Sequence, residues 1–465
     1  MKKIFNIMDK LMESNILLWL IVLAGSLVHG LFCFGRTIWL DEALTGTYIR
    51  MGWVELLAFT TTDVHPPLYY FIVKLGITLF GDHLYVVKLF SYLPFVLMLI
   101  MTATKVRKEY GNRTAFLLTV LFCITPCIIE RNAEMRMYQW AMFFVFAFML
   151  YLYQAARENK PEYWLFCAAL GLLAAYTHYY ALVTVAILYA IVFFSNFNSK
   201  NIRNRILINA GISIVGYLPW LIVFLRQAKT INETGWWQEA GVTISQIWNY
   251  IVFPFVDRTG YEPYLFIVLL ICMVFNLASK KEVSFRAESI YGMVTYFLFI
   301  ILGVLIIVCY QPVFIARFIY PAVGVLLFSM AICMSRWRTE VICIIGVCML
   351  FFGAKTYNSH LHYQYNEDST PQLQVFMENV DEKETLIVCD EDPIRCMVSY
   401  LHPEYQTVNE DMVRKEDILD KEVYYFVSKE ENINENELGK LGLTKYEEVE
   451  SIYFLHHGFT IYRME

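Results

Sequence analysis

Apolar residues in this chain gather into runs of about 16 to 22, and short charged clusters separate the runs. A helix needs roughly 20 residues to cross the hydrocarbon core of a bilayer, so each run reads as a membrane-spanning helix. The spans fall at Asn15–Phe34, Tyr85–Thr104, Thr114–Ile129, Met137–Gln154, Trp164–Tyr176 and Tyr179–Phe194. Five more follow at Ile206–Leu225, Tyr264–Phe275, Ser289–Cys309, Phe318–Met334 and Val341–Phe352, the shorter ones extending into their flanks. Pro67–Phe80 is too short to span and carries Lys74, which fits an interfacial or re-entrant helix better. No small-residue cleavage site follows the first run, so it is expected to be an uncleaved signal anchor.

After about residue 355 the pattern changes. Short apolar runs at Thr385–Cys389, Val423–Val427, Ser451–Leu455 and Phe459–Tyr462 alternate with polar helical stretches, as in a small α/β domain. The fold class expected is therefore an all-α polytopic membrane domain of about eleven transmembrane helices, followed by a small C-terminal α/β domain. The boundary is placed at 1–354 and 355–465, with a first outer loop at 35–84.

Composition sharpens this picture: 58% of residues are hydrophobic and only 17% charged, far from the soluble average, so the lipid bilayer is the chain's main partner. Charge orients it. The clusters at Lys2, Lys3 and Lys10, at Lys105, Arg107, Lys108 and Arg113, and at Arg157 and Lys160 all fall on one side of the membrane if Pro67–Phe80 does not cross. So do those at Lys200, Arg203 and Arg205, at Lys280, Lys281 and Arg286, and at Arg336 and Arg338. Loops rich in Lys and Arg stay in the cytoplasm, so the N-terminus is expected inside and the C-terminal domain outside a plasma membrane. Residues 355–465 hold 10 Lys plus Arg against 24 Asp plus Glu, a net charge of about −14, which leaves about +8 on the preceding residues. An acidic domain of this kind argues against nucleic acid or anionic lipid as its partner. Most of the 11 cysteines lie in apolar runs without metal-ligand spacing; Cys389 and Cys396 could pair as a disulfide or remain two buried thiols.

With this orientation the unusual polar residues of the membrane part gather on the outer side. The first loop carries Asp41 and Glu42 directly after Trp39 and Leu40. Adjacent acids at a helix start are ordinary, but an apolar setting can raise a carboxylate's pKa and prepare it to accept a proton. Next come Asp63, His65, Pro66, Pro67, Leu68, Tyr69 and Tyr70, where two prolines fix the start of a helix. A third loop holds Glu130, Arg131, Glu134, Arg136 and Tyr138. Arginine is disfavoured on the outer side, so this pair needs a reason: a phosphate to bind, or internal pairing with the two glutamates. His178, between Thr177 and Tyr179, and Arg317, three residues before Tyr320, complete the group. A longer outer loop, Arg226–Pro263 with Trp236, Trp237 and Gln238, could form a lid or an amphipathic surface helix.

Asp-Glu after the first helix, then Asp63-x-His65-Pro66-Pro67-Leu68-Tyr69-Tyr70, the outer Arg136-x-Tyr138 and the later Thr177-His178-Tyr179 together resemble the GT-C membrane glycosyltransferases, in the branch of bacterial relatives of protein O-mannosyltransferases and aminoarabinose transferases. The resemblance implies transfer of a sugar from a polyprenyl-phosphate donor to a hydroxyl acceptor (protein, polymer or glycolipid) on the extracytoplasmic face. A departing phosphate that needs a carboxylate and fixed cations, with no nucleophile evident for a covalent route, leads us to expect single displacement with inversion. It makes Asp41 the candidate general base or acceptor-orienting carboxylate, with Glu42 beside it. Asp63, His65, Arg131, Arg136, Tyr138, His178, Arg317 and Tyr320 become the candidate substrate-binding residues, with Arg136 and Arg317 foremost for the phosphate. His65 stands where some members carry a lysine, which weakens its claim to the phosphate. Asp41 and Glu42 could also ligate a divalent cation, though no further ligand is identifiable. The alternative is a transporter or flippase of lipid-linked sugars, which would show ionisable residues at helix centres; Lys88 is the main such charge and stands near the outer end of its span. A third reading, a non-enzymatic scaffold, would leave Asp41, His65, Arg136 and Arg317 individually replaceable.

Overall fold

Each of the eleven apolar runs lies on helix in the computed structural model, which describes residues 2–234, 242–256, 262–278, 285–310, 313–366, 370–428, 439, 442–454 and 457–465. Helices α1 (Lys2–Met12), α2 (Asn15–Gly30), α3 (Leu40–Tyr48), α4 (Trp53–Thr60) and α5 (Leu68–Phe80) come first. A π-turn at Thr102–Val106 joins α6 (Leu84–Met101) to α7 (Arg107–Tyr110), and α8 (Asn112–Ile124), α9 (Pro126–Arg131), α10 (Tyr138–Glu158), α11 (Pro161–Thr177) and α12 (Tyr179–Ser195) follow. The series continues with α13 (Lys200–Thr234), α14 (Ile244–Val252), α15 (Glu262–Ala278), α16 (Arg286–Cys309), α17 (Tyr320–Met334) and α18 (Thr339–Asn366). Helices α19 (Thr370–Glu378) and α20 (Asp392–Leu401) accompany five strands, β1 (Thr385–Cys389), β2 (Gln406–Asn409), β3 (Glu422–Ser428), β4 (Tyr446–Phe454) and β5 (His457–Met464). Trp236, Trp237 and Gln238, proposed above for a lid, lie outside the described residues, as do Lys280 and Lys281.

Among the described residues, seven helices are long and apolar enough to cross a membrane, and four shorter apolar ones accompany them. Helix α5 has 13 residues, about 20 Å at the α-helical rise, well short of the roughly 30 Å hydrocarbon core, as the sequence suggested. By contact, the chain divides into two compact units. The first comprises Met1–Cys33, Leu57–Ile72 and Leu89–Asn358; the second comprises Phe34–Leu56, Val73–Lys88 and Ser359–Glu465.

In the first unit, α17 is buried along its whole length among α8, α10 and α16. Its approach to α16 depends on a missing side chain: a Cβ at Gly292 would stand 2.0 Å from Ser329 Oγ. Helices in lipid gain little from apolar burial against one another, so such close backbone packing is a main source of their association. Helix α13 shows the opposite character, exposing Leu207, Ile208, Ile212, Ile214 and Val215 as a lipid-facing helix does.

The second unit is built on a mixed sheet of order β2-β1-β3-β5-β4. Strands β2, β1 and β3 run parallel, and β5 and β4 continue antiparallel. Its core is Leu386, Val388, Val423, Tyr425 and Val427, alternate residues of β1 and β3. Cys389 and Cys396 are both buried as unbonded thiols. Lys88, the charge weighed above for the transport reading, is fully buried here as a brace. Its ammonium donates to Gly35 O and Thr37 O, each at 2.9 Å, and to Gln364 Oε1 at 2.8 Å, which uses all three of its protons.

Candidate active site

The first unit brings together most of the polar residues singled out from the sequence. Asp63 and His65 lie in the turn between α4 and α5, whose shape the Pro66-Pro67 pair sets. Asp63 Oδ2 accepts a hydrogen bond from Tyr70 Oη at 3.1 Å and stands 3.5 Å from His65 Nδ1. On the other side of the imidazole, Arg136 Nη2 reaches His65 Nε2 at 3.4 Å. A guanidinium can only donate, so Nε2 accepts and the ring proton sits on Nδ1, facing the carboxylate. His65 thus links Asp63 to Arg136 and holds the guanidinium in place. Burial alone would push the Asp63 pKa up, but the hydrogen bond from His65 and the Arg136 charge beyond it hold it below the ordinary value. Asp63 is an anion at neutral pH.

His178 occupies the junction of α11 and α12. Its Nδ1 accepts from Tyr180 N at 3.1 Å and so caps α12, which leaves the ring proton on Nε2. The ring lies 6.1 Å from that of His65, 5.7 Å from Tyr138 and 5.5 Å from Phe318. Burial, and then the charges of Arg136 and Arg317, push its pKa well below 6.5, so it is neutral at physiological pH. Arg317 sits in the one-turn 3-10 helix Ala316–Ile319, half-buried, and its charge bears on His178.

Arg131 is placed differently. Its Nη1 meets both carboxylate oxygens of Glu134, at 2.9 and 3.3 Å, and its guanidinium packs over the Tyr138 ring. Internal pairing, one of the two readings left open above, describes this arginine. Tyr320 is fully buried, donates to Gln139 Oε1, and meets Tyr138 edge to face at 6.4 Å. The two tyrosines thus form a packed wall behind Arg131.

Asp41 and Glu42 belong to the second unit. Glu42, third residue of α3, is buried and its Oε2 accepts from Trp39 N at 3.1 Å, half of a capping box. Asp41 precedes it on the same turn, half-buried, and its carbonyl accepts from Thr45 Oγ1 at 3.2 Å. No group of three or more His, Cys, Asp or Glu able to hold a metal occurs among the described residues.

Two residues of the site escaped the sequence reading. Tyr70 stands in the Pro-Pro-Leu-Tyr-Tyr run, on the first turn of α5, and reaches Asp63 because the proline turn folds the chain back; no helical spacing relates the two, so the sequence carries no signal of the bond. Gln139, adjacent to Tyr138, gave no signal of its own.

Fold comparison decides what this architecture is. The structure matches ArnT from Cupriavidus metallidurans in its apo state with a TM-score of 0.64 at 11% identity, over 96% of this chain and 98% of ArnT. It has the GT-C fold. The undecaprenyl-phosphate-bound form of the same ArnT gives a TM-score of 0.63 at 12% identity, over 96% and 97% of the two chains. Residues 64–225 match the family described as dolichyl-phosphate-mannose-protein mannosyltransferase, a stretch that holds His65, Arg131, Arg136, Tyr138 and His178. No curated protein sequence matches.

Proposed function

We propose that this protein is a membrane glycosyltransferase that moves a sugar from a polyprenyl-phosphate donor to a hydroxyl acceptor on the extracytoplasmic face. The observation that carries the reading is the linked set Asp63, His65 and Arg136, with His178 and Arg317 beside it. Cations with fixed positions and aromatic neighbours suit a phosphate tethered to a long lipid. The GT-C fold and the family matched by residues 64–225 point the same way, as does an ArnT structure that holds undecaprenyl phosphate.

In this account Arg136 and Arg317 grip the phosphate oxygens. The acceptor oxygen attacks the anomeric carbon from the face opposite the phosphate, and the bond from that carbon to the phosphate oxygen breaks with its electron pair going to phosphate. Guanidinium donors lower the energy of that developing charge. The acceptor's proton passes to Asp41, a role that rests on its place in the motif order. Glu42 supports Asp41 by starting α3, and Arg131 acts through the Glu134 pair as part of the wall. One displacement inverts the anomeric centre.

The test is release of polyprenyl phosphate from a panel of polyprenyl-phosphate sugars, with cell-envelope extract as acceptor, by the wild-type protein and Asp41→Asn. Release that falls by about 10²-fold or more in the variant supports the transferase reading. Binding of lipid-linked sugars without release from any of them would point to transport instead.

A further inference from the structure

The second unit joins chain segments that are far apart in sequence, and the joint lies against the helix that carries Asp41. Helix α3 packs side by side with α20 of the α/β domain. At the closest point Gly46 faces the Tyr400 ring: a Cβ there would stand 2.4 Å from Cε2, 2.6 Å from Cδ2 and 2.8 Å from Cζ. The ring cannot easily yield, because Tyr400 is buried and the Arg50 guanidinium covers it at 4.4 Å. Polar bonds fix the register. Thr47 Oγ1 donates to Cys396 O at 3.2 Å, and Arg50 Nη1 donates to Tyr400 O at 3.1 Å while its Nε holds Asp82 at 2.7 Å.

The ends of α3 are fixed as well. Glu42 caps its start, and Lys74 donates to the carbonyls of Ile49, at 3.0 Å, and Met51 just beyond its end. On the far side, α20 is tied to the sheet: Asn409 of β2 donates to Asp392 Oδ1 at 3.1 Å, and Ile394, Met397 and Val398 are buried. A rigid path therefore runs from the parallel strands through α20 to the helix of the acidic turn. A helix of 9 residues has little stability of its own, so this packing determines where its first turn points.

We propose that the C-terminal α/β domain sets the position of Asp41, with Tyr400 as a positioning residue acting through Gly46. The proposal rests on the reading of Asp41 as the group that acts on the acceptor. It gives the acidic domain a part in the transfer step and none in holding the lipid phosphate, which the first unit does.

The test compares three variants of the full chain in the release assay. Gly46→Ala forces α3 away from α20 by a fraction of a residue's width, and misplacement on the order of 1 Å can cost about 10²-fold in the chemical step. Its kcat should fall at least tenfold, with affinity for polyprenyl phosphate within twofold of wild type. Adding Tyr400→Leu to Gly46→Ala makes room for the new methyl group and should recover most of the loss. Arg50→Gln, which adds no volume and is the variant to read where Gly46→Ala does not fold, should lower kcat about threefold or more with the same unchanged phosphate affinity. The proposal is overturned if Gly46→Ala and Arg50→Gln keep wild-type kcat, if Tyr400→Leu gives no rescue, or if phosphate affinity falls in parallel with kcat. Wild-type protein that releases no phosphate from any donor sinks the transferase reading itself, and this proposal with it.

Discussion

Two acidic turns, one in each unit, put similar residues to different uses. In the first turn of α3, Asp41 and Glu42 stand side by side, and Glu42, at the third helical position, reaches back to the cap N–H of Trp39. Asp41, one residue earlier, is at the wrong place for that bond. In the turn before α5, Asp63 is joined instead to an imidazole and a tyrosine, and through the imidazole to Arg136. Position relative to a helix start thus separates a structural carboxylate from its neighbour, and a relay residue turns a carboxylate into an anchor for a cation. The loop at 130–136 repeats the lesson with arginines: Arg131 is met by Glu134 within its own turn, whereas Arg136 points across to His65.

The sharpest way to break this contrast is to replace each arginine in turn. Arg136→Gln should reduce kcat/KM for a polyprenyl-phosphate donor by about 10²- to 10³-fold, the usual consequence of losing one fixed donor to a developing charge. Arg131→Gln should cost less than tenfold; equal losses would show that both bind phosphate. The acids come next. Asp41→Asn should lose about 10²-fold in kcat with its thermal stability unchanged, whereas Glu42→Gln should lose about 1 kcal/mol of stability, the typical value of a helix cap, with a smaller loss of kcat. Stability measured by thermal unfolding in detergent, beside turnover, separates the two.

The remaining effect concerns protons and stability rather than turnover. His178 has its folded pKa held well below 6.5, so the unfolded chain takes up a proton first as pH falls. Stability is then full above about pH 6.5 and declines below it, by about 1.4 kcal/mol per pH unit for one proton, until the folded pKa is reached. Asp63, held below its ordinary 3.8, contributes stability that is lost only at much lower pH. His178→Asn keeps an acceptor for the α12 cap and removes the titration, so its unfolding midpoint should change less than wild type's between pH 6.5 and 5.

Much of this was legible in the sequence, for reasons that can be named. Apolar runs of spanning length fell on helices because nothing else satisfies the backbone in lipid. Four strands were visible as apolar runs, Ser451–Leu455 lying within or beside β4. The fifth, β2, is polar and lies at a sheet edge, so its Gln-Thr-Val-Asn sequence carried no alternation to read. The motif residues of the first unit converge as their loops suggested. What the pattern could not give was pairing: Arg131 with Glu134, Arg136 with His65, and Lys88 with three acceptors are all fixed by turn geometry and by contacts between distant segments. The grouping of 34–56 and 73–88 with 359–465 is likewise non-local, so the packing of α3 on α20 left no local trace.

The most direct test of the central claim is the affinity of purified wild-type and Arg136→Gln protein for undecaprenyl phosphate, measured by inhibition of sugar release or by direct titration. A loss of about 10²-fold in the variant, at unchanged folding, is the result expected if Arg136, held by His65 and Asp63, grips the phosphate. Equal affinity in the two proteins would contradict it and would move the phosphate site away from this set of residues.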